Sequence, residues 1–190
     1  FGQLLAGYSR MYASTGDARC LEKANALLEG WSETIDDDGY FYYSTHPNAK
    51  HYVFEKMAGG LVDCYLYCNN SKALECLSKI TDWAIENLDQ KRTYGQHIDS
   101  QNGEWYTLSE NLYRAWLITG DEKYFKFAEF WEYNEFWDTV RKGEDPFVKK
   151  DFYHAYSHLN TFCSAAAAYK AKQTENYLND CIAGYDFFRA

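Results

Sequence analysis

The chain has 190 residues, 46% of them apolar, and a net charge of −9. A nucleic-acid partner needs a basic surface that can release counterions, so this charge balance excludes one. No run approaches the ~18 apolar residues of a membrane span and no signal-peptide pattern opens the sequence, which argues against a membrane protein and favours a cytoplasmic domain with a core of its own.

Phe1, Leu4, Leu5, Tyr8, Met11 and Tyr12 recur at helical spacing, so the chain opens inside a helix over about 1–14, as a piece of something longer would. Thr15-Gly16-Asp17 turns it into a second helix over about 17–31. The acidic turn 36–38 and Gly39 then lead into Tyr40-Phe41-Tyr42-Tyr43, a loop closed by Pro47. A third helix over 51–68 has Phe54, Met57, Leu61 and Tyr65 on one face, and after Asn69-Asn70-Ser71 a fourth runs to about Leu88.

A polar loop over 90–103 holds His97, Asp99 and Asn102, and helix five starts near Glu104 with Leu108, Leu112 and Ala115 on its apolar face. Gly120 can take the left-handed conformation that ends this helix, and Asp121 can cap helix six, whose apolar face is Tyr124, Phe127, Ala128 and Trp131. A loop with Gly143 and Pro146 follows. Helix seven covers about 154–170; helix eight starts at Thr174 and is still helical in pattern at Phe187-Phe188.

Four triplets, Thr15-Gly16-Asp17, Asn69-Asn70-Ser71, Thr119-Gly120-Asp121 and Lys172-Gln173-Thr174, each separate two apolar-periodic segments and each end in an N-cap residue type. They recur roughly every fifty residues, the self-similarity of a repeat architecture, so the fold is all-α and built from helical hairpins. Short turns at one end of such an array put the longer connections at the other. Those connections carry DDDGYFYY, HPNAKHYVFEK, QHIDSQNGEWY and DFYHAYSHLN. One rim is therefore scaffold and the opposite rim is where binding and catalysis belong.

Six cysteines fall in predicted helices with no C-x-x-C pair and read as small buried hydrophobes. Cys64 and Cys68 share a face, but a structural zinc site takes about four ligands. His154 and His158 are four apart, yet the metalloprotease motif needs Glu after the first histidine and Ala155 stands there. His154 reads either as a group that bonds a substrate hydroxyl or as a surface histidine. Glu104 is either a first-turn acid stabilised by the helix dipole or, with Glu110, a carboxylate that grips sugar hydroxyls or moves a proton. Glu55-Lys56 reads as an ion-paired helix face.

These segments together resemble the glycoside hydrolases of family 127 and its relative 146, the β-L-arabinofuranosidases. Asp38-Gly39-Tyr40-Phe41 is similar to that family's D-G-Y-L, and Lys56 to Asp63 to its H-K-x-x-x-G-L-x-D, with Glu55 in place of the His. Glu104 and Glu110 fall on the first and last positions of its E-F-G-G-M-N-E stretch. Thr119-Gly120-Asp121-Glu122-Lys123-Tyr124 matches T-G-D-x-x-Y, and His154-Ala155 the start of H-A-N-T.

The resemblance implies an (α/α)6 toroid around a sugar pocket, with the whole chain, 1–190, in one domain that supplies about four of the six hairpins. It implies a carbohydrate substrate from plant or microbial glycans. The residues and the matched motifs together give a candidate substrate-binding set of Glu104, Glu110, His154, His158, Glu55 and Tyr40. The resemblance also implies a zinc-bound cysteine nucleophile in a complete family member. The motifs that carry that nucleophile lie in the family beyond H-A-N-T, so this stretch is expected to hold neither zinc nor nucleophile and to be inactive alone. Two other readings fit the pattern: a sugar epimerase or polysaccharide lyase on the same toroid, and a non-catalytic helical-repeat scaffold that binds protein or glycan.

Overall fold

The computed structural model describes residues 1–92, 103–148 and 154–189, so His97, Asp99 and Asn102 lie outside the described residues. Those residues form nine α-helices and one 3-10 turn, with no strand among them, in two compact units, 1–89 and 90–190.

The first unit holds α1 (Gly2–Thr15), α2 (Ala18–Ser32), α3 (Lys50–Cys68) and α4 (Lys72–Asn87). α1 pairs with α2 and α3 with α4 as hairpins, and α1 lies along α3. Gly2 meets Lys56 and Gly60, and the Arg10 guanidinium bonds the Asp63 carboxylate at 2.6 Å, so the two helices run parallel. A Cβ on Gly60 would stand 2.4 Å from the Gly2 carbonyl oxygen. Leu5, Leu28, Phe54, Leu61, Leu77 and Ile80 close the core, each worth about 1.5–3 kcal/mol on burial.

The acidic turn is held from within. Gly39 N–H donates to the Asp36 carbonyl and Tyr40 N–H to the Asp38 carboxylate, both at 2.9 Å. Gly39 sits at φ +92°, and a Cβ there would lie 2.4 Å from the Lys79 carbonyl oxygen on α4. Backbone strain and the clash act together, so Gly39→Ala is expected to lower unfolding free energy by about 2–4 kcal/mol, read from urea midpoints.

The second unit, over its described residues, holds a 3-10 turn (Trp105–Thr107), α5 (Ser109–Thr119), α6 (Glu122–Phe130), α7 (Asn134–Arg141), α8 (Ala155–Lys172) and α9 (Glu175–Arg189). α5 pairs with α6 and α8 with α9, while α5 lies along α8. Thr161 Oγ1 donates to the Tyr106 carbonyl at 2.7 Å, and Trp137 Nε1 donates to Thr161 at 3.2 Å. Each unit is thus built of helical hairpins, the all-α repeat class that an (α/α)6 toroid uses.

The four turns obey one rule with one shift. Gly16, Asn69, Gly120 and Gln173 each take the left-handed conformation that ends a helix. Asp17 and Asp121 accept the N–H of Arg19 and Lys123 as caps. Ser71 does not cap; the Asn70 carboxamide accepts Lys72 N–H instead, and its NH2 ties α4 to Asn25 of α2 at 2.8 Å. The Thr174 hydroxyl donates back to the Lys172 carbonyl at 3.4 Å. Helix five starts at Ser109, not near Glu104, because the chain first makes a 3-10 turn.

The cysteines divide: Cys20, Cys64 and Cys76 are buried, but Cys68 and Cys181 are half-exposed and Cys163 is exposed. On α9, Asp180 is buried beside Arg141 at 3.0 Å. Burial pushes its carboxyl up to about 6, against the pull of Arg141 and with the push of Asp138 and Glu132. Because the folded value lies above the unfolded 3.8, the native state binds the extra proton. Stability is expected to be highest below about pH 4 for this group and to fall, on the order of 3 kcal/mol, as pH rises from there through 6. Asp180→Asn should flatten that slope in pH-dependent denaturation curves.

Candidate active site

Glu104 stands just before the 3-10 turn with φ +62°, a left-handed conformation unusual outside glycine, and it is 5% exposed. Such a strained, buried carboxylate persists only where its surroundings over-determine it. Trp105, fully buried, packs on Trp131 and Tyr133 and fixes the segment, while the Thr107 hydroxyl donates to the Glu104 carbonyl at 2.9 Å.

Across from it, His154 is the N-cap residue of α8 and makes no side-chain cap. Its Nε2 lies 3.9 Å from Glu104 Oε1, with the imidazole about a third exposed and the carboxylate almost fully buried. That gap is too long for a hydrogen bond. A ligand hydroxyl placed at about 2.8 Å from each atom would bridge it.

His158 has a different role from the one its spacing suggests. It is 2% exposed, boxed by Tyr106, Tyr133, Phe136 and Phe147. Its Nδ1 lies 2.9 Å from the His154 carbonyl, so that atom carries the proton and donates it there. Ser157 Oγ donates to the same carbonyl at 3.2 Å and meets the Tyr106 hydroxyl at 2.7 Å. His158 therefore anchors the backbone of His154 rather than sharing a ligand with it. Burial raises the Tyr106 hydroxyl above the ordinary tyrosine range, keeping it a neutral hydrogen-bonding group.

Glu110 is half-buried in the first turn of α5. In the other unit Glu55 is 4% exposed and pairs with Lys56 at 2.7 Å, whose ammonium also lies 5.0 Å from the Tyr52 ring centre. Tyr40 gives its hydroxyl to the Ser44 carbonyl and packs its ring on Tyr42 and Trp83, so it braces its own loop. Tyr106, Ser157 and Tyr133 were not singled out by the sequence; a tyrosine two residues after Glu104 and a serine beside His158 give no signal until the fold brings them together.

The family model for the catalytic domain of β-L-arabinofuranosidase, GH127, matches residues 1–183. The chain belongs to this family. It is thus a family 127 glycoside hydrolase domain by kinship, and its substrate class is carbohydrate. No curated protein matches it.

For this family 127 domain the zinc implied by the resemblance can be tested against the donors present. Among the described residues no three His, Cys, Asp or Glu side chains come together as a group that could hold a metal ion. His154 and His158 in particular diverge, one to Glu104 and the other to a backbone carbonyl. Among the described residues, no helix of the family 127 domain is long and apolar enough to cross a membrane.

Proposed function

We propose that this family 127 domain acts on plant or microbial glycans as a β-L-arabinofuranosidase, with Glu104 and His154 on the sugar-facing wall. The observation that carries the reading is the buried, backbone-strained Glu104 carboxylate facing His154 Nε2 across 3.9 Å, a gap sized for a sugar hydroxyl. In this role Glu104 accepts a hydrogen bond from the sugar hydroxyl and His154 supplies the second contact from the solvent side. His158, Ser157 and Tyr106 hold His154 in place.

Glu110 serves as a second carboxylate at the same helix entrance, and Glu55 and Tyr40 belong to the substrate side of the first unit. The two units are consecutive parts of one (α/α)6 toroid domain, a reading supported by the family match and by the hairpin repeat. A zinc requirement follows from the family resemblance alone, and no step here passes through the metal.

The test is turnover of a p-nitrophenyl glycoside panel by the protein that carries this chain, with and without chelation. Release from β-L-arabinofuranoside, lost on chelation and restored by zinc, is the expected result. Silence across the panel, or an epimerised or unsaturated product formed without metal, would overturn it.

A further inference from the structure

The second unit has a polar cavity of about 370 Å³ between α7 and the first turns of α9, inside the roughly 300–1,000 Å³ of small-molecule pockets. α8, 18 residues long, separates it from His154 by roughly 27 Å of helix. Asn134, Asp138 and Arg141 line one wall, and Asn176, Tyr177 and Asp180 the other.

Asp180 is the group in these walls whose hydrogen bonding is incomplete. Its carboxylate is 2% exposed, and among the described residues nothing donates a hydrogen bond to Oδ1. Arg141 stands 3.0 Å away as an ion-pair partner, but its N–H groups are aimed at the Asp138 carboxylate and the Asn176 carbonyl. The charges lean the same way. Arg141 faces the two carboxylates of Asp138 and Asp180, and behind them Lys172 faces those of Glu129 and Glu132, so each cluster keeps one carboxylate in excess. An acidic ligand would have to share Arg141 with both aspartates, which is costly away from water. An ammonium brings three donors, no acceptor and the charge that offsets the surplus. Asp180, Asp138 and the carboxamide oxygen of Asn134, whose NH2 is already given to Glu132 at 3.0 Å, are its acceptors.

We propose that this cavity binds a small primary ammonium compound, with Asp180 and Asp138 as its anchors. The assignment does not depend on the glycosidase reading. Burial holds the Asp180 carboxyl up at about 6, against Arg141 and with the push of Asp138 and Glu132, while Lys172 of α8 and the Tyr177 hydroxyl of α9 are turned to Glu132. An ammonium pairs with the ionised carboxylate, so it binds best above pH 6 and weakens as pH falls through that value.

The test is calorimetric titration of the protein that carries this chain with 1,4-diaminobutane and with galactosamine, beside galactose and galacturonate. At pH 7 at least one amine should bind about tenfold or more tighter than galactose, since a hydrogen bond to a charged group is worth that much. The tighter of the two amines tells a linear amine from an amino sugar as the source of the ammonium. Asp180→Asn should weaken that amine at least about tenfold, and Asp138→Asn, at a more exposed carboxylate, about threefold. Lowering pH from 7 to 5 should weaken diaminobutane about tenfold. Melting temperatures show that each variant is folded, and Asp138→Asn keeps the test decisive should Asp180→Asn not fold. Galactose or galacturonate bound as tightly as both amines overturns the proposal, as do amine affinities unchanged in the folded variants and at pH 5.

Discussion

Lys172→Met is expected to lower the unfolding free energy by about 3–5 kcal/mol, the largest loss of stability predicted for any single residue here. Lys172, in the last turn of α8, places its ammonium 2.8 Å from both Glu129 and Glu132 and 3.1 Å from the Tyr177 hydroxyl. Glu132 is 5% exposed and also accepts the hydroxyls of Tyr113 and Tyr177. The rings of Tyr113, Phe125 and Tyr177 lie 5.3–5.6 Å from the ammonium. One cation thus joins α5, α6, α8 and α9, and deleting it leaves a buried carboxylate uncompensated.

Burial alone would lower the Lys172 pKa; the carboxylates and Tyr177 outweigh it and hold the group above the usual lysine range. A raised lysine contributes in full below its unfolded value of about 10.5 and loses that contribution as pH rises through the folded value, so the effect is constant across neutral pH. Guanidinium unfolding measures it, and Lys172→Met with Glu132→Gln should recover part of the loss. A loss under about 1 kcal/mol would mean that solvent screens the cluster as it screens surface pairs.

Glu104→Gln is expected to lower kcat/KM by about 10–100-fold, the loss of a hydrogen bond to a charged group, while leaving the fold intact. The amide keeps the volume of the side chain but loses its charge, so it bonds the sugar hydroxyl more weakly. Retained helicity and melting temperature beside the lost rate would separate chemistry from folding, whereas activity within about threefold of wild type would remove Glu104 from the reaction.

The helices and turns were legible because their signals are local. Gly16 and Gly120 announce left-handed ends and Asp17 and Asp121 announce caps without help from distant residues. The motif positions Gly39, Gly60 and Asp63 turn out to serve the scaffold: two permit close backbone approach and one pins α1 to α3. The break between α6 and α7 was missed because Trp131-Glu132-Tyr133 holds no Gly or Pro. Trp131 and Trp137, on either side of the break, are both fully buried, so it falls within the core rather than at a turn signal.

The site was legible in residue type but not in arrangement. Glu104 and His154 stand out by their matched motifs, yet their approach depends on a left-handed residue before α5 and on α5 lying along α8. The i, i+4 spacing of His154 and His158 suggests one shared face. Instead the first is a cap residue outside the helix and the second turns into an aromatic box, a difference of backbone conformation at a single position.

The most direct test of the Glu104–His154 assignment is a crystal structure of the protein soaked with L-arabinose. The expected result is a sugar hydroxyl within hydrogen-bond distance of both Glu104 Oε1 and His154 Nε2. Sugar bound with neither atom in contact, or Glu104 displaced to solvent, would contradict it.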